Sequence, residues 1–214
     1  MLRMILVSPP ANAVLTSADA KARLNIGSEV PDAVMDAYIM AATQWIDGVD
    51  GWLGRALITQ SWQAMLDQWP TECGGKIMIP LPPLQSVDEV SYLDVDGLAT
   101  VIDPVTYQVV QGQRPYLIPA FGAAWPAATT RTDAISITFT AGYGDNDTDV
   151  PEPIRTGIAL MCGGMSSMST RRLQVALERE EGIGETRYTP SVNANEEIST
   201  AVENLLSVYR VTWV

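Results

Sequence analysis

The chain has 214 residues, 47% of them hydrophobic and 18% charged, which suits a globular protein of one domain, or one with a small subdomain, and excludes a disordered chain. Its net charge is −12, with 13 basic residues against 25 acidic ones, so the basic footprint of a free-standing DNA-binding protein is absent. There is no histidine, which removes the commonest general base and metal ligand, and the two cysteines, Cys73 and Cys162, are far apart and fit no ligand pattern.

The apolar start, Met1 to Val7, stops at Pro9-Pro10, too short for a signal-peptide core or a membrane span. Met4 to Val7 is expected to be a short strand. Thr16-Ser17-Ala18-Asp19 starts a helix, with hydroxyl caps and an acid in the first turn, and that helix should end near Gly27. Pro31-Asp32 opens the next helix, predicted over about 31–54. Val34, Tyr38, Ala41, Trp45, Val49 and Trp52 recur along it at three- and four-residue steps and form its apolar stripe. Leu57 to Asp67 reads as one or two strands, with Trp62, Ala64 and Leu66 on one face; a continued helix is the alternative. Pro70 to Gly75 is a turn. Cys73 lies in it with only Lys76 as a basic neighbour, a poor setting for a reactive thiol.

The middle of the chain is β-rich. Pro80, Pro82 and Pro83 cannot donate to a ladder, so Lys76 to Leu84 is expected as an extended edge or lead-in. Apolar and polar residues alternate in Val90 to Val95 and in Ile135 to Thr140, the period of a half-buried strand. Asp96-Gly97 marks a tight turn. Tyr107 to Val110 and Tyr116 to Pro119 are further short strands, and Ala120 to Arg131 is a loop. Asp145, Asp147 and Asp149 alternate as in a calcium loop, but Val150-Pro151 follows where glycine is needed, so a solvated turn is the reading.

Pro153 to about Thr170 is the second main helix. Ile154, Ile158, Met161, Met165 and Met168 form its stripe, and Gly157, Gly163 and Gly164 permit close packing. Cys162 reads as a buried free thiol. Leu173 to Ser191 is charged and weakly periodic, an arm or loop. Asn195-Glu196-Glu197 starts a last helix, with Ile198, Val202, Leu205 and Leu206 on its apolar side. The tail Val208 to Val214 is apolar, alternates roughly as a strand does, and reads as an interface.

No P-loop, Gly-x-Ser-x-Gly elbow or His-Glu-x-x-His occurs, so no enzyme is expected, nor any cofactor or metal. Asp94 and Asp96 flank a turn and read as exposed rather than as a catalytic pair.

Taken in order, these pieces resemble the head–tail connector (adaptor) proteins of long-tailed bacteriophages and gene transfer agents. The resemblance is carried by Pro80-Leu81-Pro82-Pro83-Leu84, by Val87 to Gly97, by Tyr107-Gln108-Val109, and by Thr140-Ala141-Gly142-Tyr143-Gly144. It continues in Val150 to Arg155, which opens a helix, and in Leu205-Leu206 followed by Tyr209-Arg210. Where the family's helix usually ends in an aromatic-x-x-Arg, Met168 to Arg171 stands instead.

The expected fold is α+β: a helical bundle core, an inserted small antiparallel β subdomain and an extended C-terminal arm. The divisions are 1–75, 76–144 and 145–214. The resemblance implies a homo-oligomeric, dodecameric ring in the virion neck. It would bind the portal protein above and a tail-proximal neck protein, a stopper or tail terminator, below. Double-stranded DNA would pass through without specific binding. The protein would reside in the host cytoplasm during assembly, with no membrane role. Partner-binding residues are expected in the C-terminal segment: Leu205, Leu206, Tyr209, Arg210, Val211, Trp213 and Val214, with Trp213 as anchor. A ligand- or glycan-binding β module is the competing reading.

Overall fold

Strand β8 (Ile135–Ala141) alternates as its sequence demands: Ile135, Ile137, Phe139 and Ala141 are buried, and the Ser and Thr between them are half-buried. The computed structural model describes residues 2–72, 74–175 and 193–212. In it β8 lies at the middle of a five-stranded antiparallel sheet. The order is β1 (Arg3–Ser8), β2 (Gln60–Leu66), β8, β4 (Leu84–Leu93), β5 (Ala99–Val101). A second sheet is built from β3 (Ile77–Met78), β7 (Tyr116–Pro119) and β6 (Tyr107–Val110). One core joins them: Ala64, Val90, Ile137 and Phe139 from the larger sheet meet Ile77, Leu117 and Tyr107 from the smaller. Trp62 and Leu66 pack partly buried against that core beside Ala64, the face expected of them.

The turn after β4 follows its sequence closely. Asp94 accepts through Oδ1 from the backbone N–H of Asp96 and Leu98, both at 2.9 Å, and Gly97 takes a φ of 80°. The proline segment differs from expectation. Pro80, Leu81 and Pro82 are buried in a bend, with a cis bond between Pro82 and Pro83. Only Ile79 holds a neighbour there by its amide, donating to the carbonyl of Pro115 at 2.9 Å. Prolines suit this place because a buried bend without ladder partners needs few donors.

The described residues divide into two compact units. The β unit takes residues 2–13, 46–72, 74–150 and 211–212; the helical unit takes 14–45, 151–175 and 193–210. The α+β class therefore stands, and the strands are inserted between two helical stretches. The boundaries at 75 and 144 are corrected. Residues 46–75 belong with the strands, because β2 pairs on one side with β1 and on the other with β8. A helical bundle as the core of the molecule is not what the structure shows, since the buried cluster common to the two sheets is a core in its own right.

In the helical unit, α1 (Ser17–Leu24) is capped by Thr16, whose Oγ1 accepts from the Asp19 amide at 3.1 Å. Helix α2 spans Asp32–Ile46, shorter than expected. It stops because Gly48 adopts a φ of 86° and its amide turns to the carbonyl of Arg55 at 2.8 Å. The buried stripe of α2 is Met35, Ile39, Ala42 and Ile46, one residue along from the stripe read in the sequence. Helix α3 (Glu152–Val175) packs against α1 and against α4 (Asn193–Leu206); α2 is not a main partner of α3 among the described residues. Its buried line runs Ile154, Ile158, Cys162, with Met161 and Met165 half-buried beside it. The side chain of Met168 and residues 176–192, most of the expected arm, lie outside the described part.

Candidate partner-binding surfaces

The C-terminal segment is built from α4 outward. Val202 and Leu206 are buried among its described side chains, and Leu206 sits over Gly157 of α3: a β-carbon placed there would come within 3.1 Å of Leu206. The glycine is therefore what lets α4 approach α3, as the spacing of glycines suggested. Leu205 is half-buried. Ser207–Tyr209 form a single 3-10 turn, so this stretch is not the strand its alternation suggested. Tyr209 is half-buried, Arg210 exposed, and Val208 is 82% exposed. Val211 is buried and donates its amide to the Leu53 carbonyl at 2.9 Å, and Arg114 donates through Nη2 to the Thr212 carbonyl at 2.9 Å. Leu206 and Val211 thus fix the segment on its own chain, and its exposed residues are Val208 and Arg210, with Leu205 and Tyr209 half-buried. Trp213 and Val214 lie outside the described residues.

Sequence reasoning missed two further apolar surfaces. One is β1, whose residues Ile5, Leu6 and Val7 are exposed. Three apolar residues in a row, instead of alternation, were the signal for a strand apolar on both faces. The other is the apolar stripe read for α2: Val34, Ala41 and Trp45 are exposed, and Met40 near them is exposed too. A single aromatic also stands out. Phe121 is fully exposed at the corner of a turn in which the Ala123 amide donates to the Ala120 carbonyl at 2.8 Å and Gly122 has a φ of 79°. That turn is held from behind by Trp125, which stacks on Trp69 at 4.7 Å and donates through Nε1 to the Gly75 carbonyl at 2.6 Å.

Chemistry is sparse by contrast. A cleft lined by Ser8, Pro9, Asn12, Ile58, Thr59 and Asp145 gathers neutral hydroxyl and amide groups around one carboxylate. Among the described residues Asp47 is the one carboxyl that burial drives upward from its usual range, against hydrogen bonds from the Leu57 amide at 2.9 Å and from Gln60. Those bonds join the turn after α2 to the segment leading into β2. Asp147–Asp149 form a 3-10 turn in which Asp149 caps Asn146, the solvated turn expected. No group of three potential ligands stands together among the described residues, and no described helix is long and apolar enough to cross a membrane. Burial pushes the Cys162 thiol up to about 11, consistent with a structural thiol. Cys73 lies outside the described residues.

No protein-family model matches the sequence, and no curated protein matches it. Solved structures do. A chain in the neck of an empty gene transfer agent particle, computed with C6 symmetry, superposes with a TM-score of 0.65 at 20% identity over 100% of this chain and 97% of that one. A chain in the virion of a native gene transfer agent particle gives 0.67 at 22% identity, covering 99% and 96%. A chain in the neck of the native particle, computed with C12 symmetry, gives 0.62 at 21% identity, covering 100% and 97%. From end to end, the chain has the fold of protein chains found in the necks and virions of gene transfer agent particles.

Proposed function

We propose that this protein is a structural component of a virion neck, a head–tail connector that forms a ring between the portal and the tail-proximal neck proteins. The observation that carries the reading is the match in fold over the whole of both chains to components of necks computed with cyclic symmetry. The match runs over the full length of both chains rather than over a single module, which supports the reading. The sequence resemblance points the same way through independent residues, those of the proline bend, the Asp-Gly turn and the Gly142 exit.

The surfaces suit such a role. Exposed apolar residues on β1, α2, the Phe121 turn and Val208 offer several faces for neighbours, which an assembled ring between two other proteins requires. The ring's channel would pass DNA without holding it, and a net charge of −12 disfavours contact with phosphates. The reading contains no catalytic step. In it the C-terminal segment meets the portal, through Leu205, Val208, Tyr209 and Arg210, with Trp213 and Val214 beyond.

Deleting the gene in a producing strain tests this. The expected result is DNA-filled heads without tails, restored by the gene supplied in trans. Particles that retain tails, or empty unfilled heads alone, would contradict it.

A further inference from the structure

The two open edges of the five-stranded sheet indicate how copies of the chain meet, an inference that rests on the ring reading. β1 forms one edge and β5 the other. Natural sheets guard such edges with charges, proline or bulges, because their unpaired N–H and C=O groups template pairing with another chain. β1 lacks most of that protection. Ile5, Leu6 and Val7 are 40%, 43% and 55% exposed, and regular register holds from Arg3 to Leu6 before a shift at Ser8. At the far edge, Leu98 and Val101, before and within β5, are 66% and 60% exposed. No strand covers either edge among the described residues.

The two edges belong to one unit, stand four strand spacings or about 19 Å apart, and face opposite ways. A closed ring with one copy type needs that arrangement, since each copy must offer two different patches to its two neighbours. Charge separates the edges in the same sense. Arg3 is the only charged residue of β1; it bonds Asp133 at 2.6 Å and remains 58% exposed. β5 is flanked by Asp94, Asp96 and Asp103, and no Lys or Arg occurs from Asp88 to Gln113.

We propose that the β1 edge of one copy pairs with the β5 edge of the next, so that the sheet continues from subunit to subunit. The number of strands fixes the direction of the junction. All four pairings within the sheet are antiparallel, so the first and fifth strands run the same way. A ring axis along the strands then joins β5 to the neighbouring β1 in parallel, and sets Arg3 beside the acidic turn that precedes β5. The three residues of β5 make the ladder short, and Ile5 packing on Val101, which the register puts on the same face of the sheet, supplies the rest.

Two variants test it: Ile5→Lys with Val7→Lys, and separately Val101→Lys, each read by circular dichroism, native mass spectrometry and negative stain, alone and with co-expressed portal. The wild type should form rings and each variant should remain a folded monomer. Mixing the two variants leaves one intact junction between them, so a one-to-one dimer and nothing larger should appear. Gln111→Lys, in the exposed turn between β6 and β7, should leave rings unchanged. Rings that persist in both edge variants would overturn the edge contact and leave the ring reading standing. A wild type that stays monomeric under every condition would overturn both. Should a lysine variant fail to fold, a photoreactive residue in place of Ile5 decides the matter. Links to peptide 95–105 of another copy support the junction, and links elsewhere overturn it.

Discussion

Gly142 shows what a single residue does in this chain. It takes a φ of 133°, and a β-carbon placed on it would lie 2.6 Å from the backbone of Ile58 and Thr59. The backbone comes so close because Tyr143 donates to the Leu57 carbonyl and Thr59 donates to the Gly144 carbonyl, both at 2.9 Å. The Ala-Gly-Tyr-Gly exit of β8 is thus a place where two chain segments touch without side chains between them. Gly142→Ala should destabilise the protein by about 2 kcal/mol, a fall of about 4–8 °C in Tm, measurable by thermal circular dichroism. An unchanged Tm would mean the approach is looser than described. At Cys162 the burial that raises its thiol predicts that iodoacetamide leaves it unmodified in the native protein and labels it only in denaturant, read by peptide mass. These positions differ in legibility. Cys162 was readable from its apolar helix, whereas the reason for Gly142 was not, because Ile58 is distant in sequence and only the fold brings it there.

At the scale of elements, the helical unit is tied by ionic contacts around the start of α3. Arg23 bonds Glu152 through two guanidinium nitrogens and Asp19 at 3.0 Å, and Arg155 reaches Asp19 at 2.9 Å. The Arg23 hydrogen bond, followed by the charges of Arg23 and Arg155, holds the Glu152 carboxyl below its ordinary range despite the opposing effect of desolvation. A carboxyl lowered in the folded state adds stability above its unfolded pKa and loses it as pH falls through the folded value. Glu152→Gln should therefore be less stable than wild type at pH 7, by a small amount at this exposed site, and the two should converge in acid. A constant difference across pH would show that the effect is not ionic.

The helices also show where periodicity stops being informative. α2 carries two apolar stripes one residue apart, Val34–Tyr38–Ala41–Trp45 and Met35–Ile39–Ala42–Ile46. The aromatic one looks like the core, yet the aliphatic one is buried. Spacing shows that a helix has apolar faces; it does not say which one its own chain covers, and a protein that meets neighbours keeps a second. In the C-terminal segment the same ambiguity is settled residue by residue. A truncation from Val208 would remove buried Val211 along with any partner contact, so point changes are cleaner. Val208→Asp should leave the fold and Tm unchanged and abolish co-purification with portal. Retained portal binding would remove this segment from the interface.

The whole molecule is an acidic α+β chain whose strands, apart from β1, come from one continuous stretch and whose helices come from the two flanking it. The local pieces were legible: the alternation of β8, the Asp94–Gly97 turn, the Thr16 cap. The pairing of β1 with β2 and of β2 with β8 was not, since it joins residues more than fifty positions apart and leaves no local signature. The charge of the whole chain gives its own prediction. DNA binding by the isolated protein should be no tighter than about 10 μM at physiological salt, and a tight, steeply salt-dependent interaction would contradict a passive channel. The central claim is that this chain assembles as a cyclic neck component on a portal. Negative-stain imaging of the purified protein, with and without its portal, tests it most directly. The account predicts annular particles of uniform diameter with cyclic symmetry, seated on portal when portal is present. Monodisperse single copies that ignore portal would contradict it.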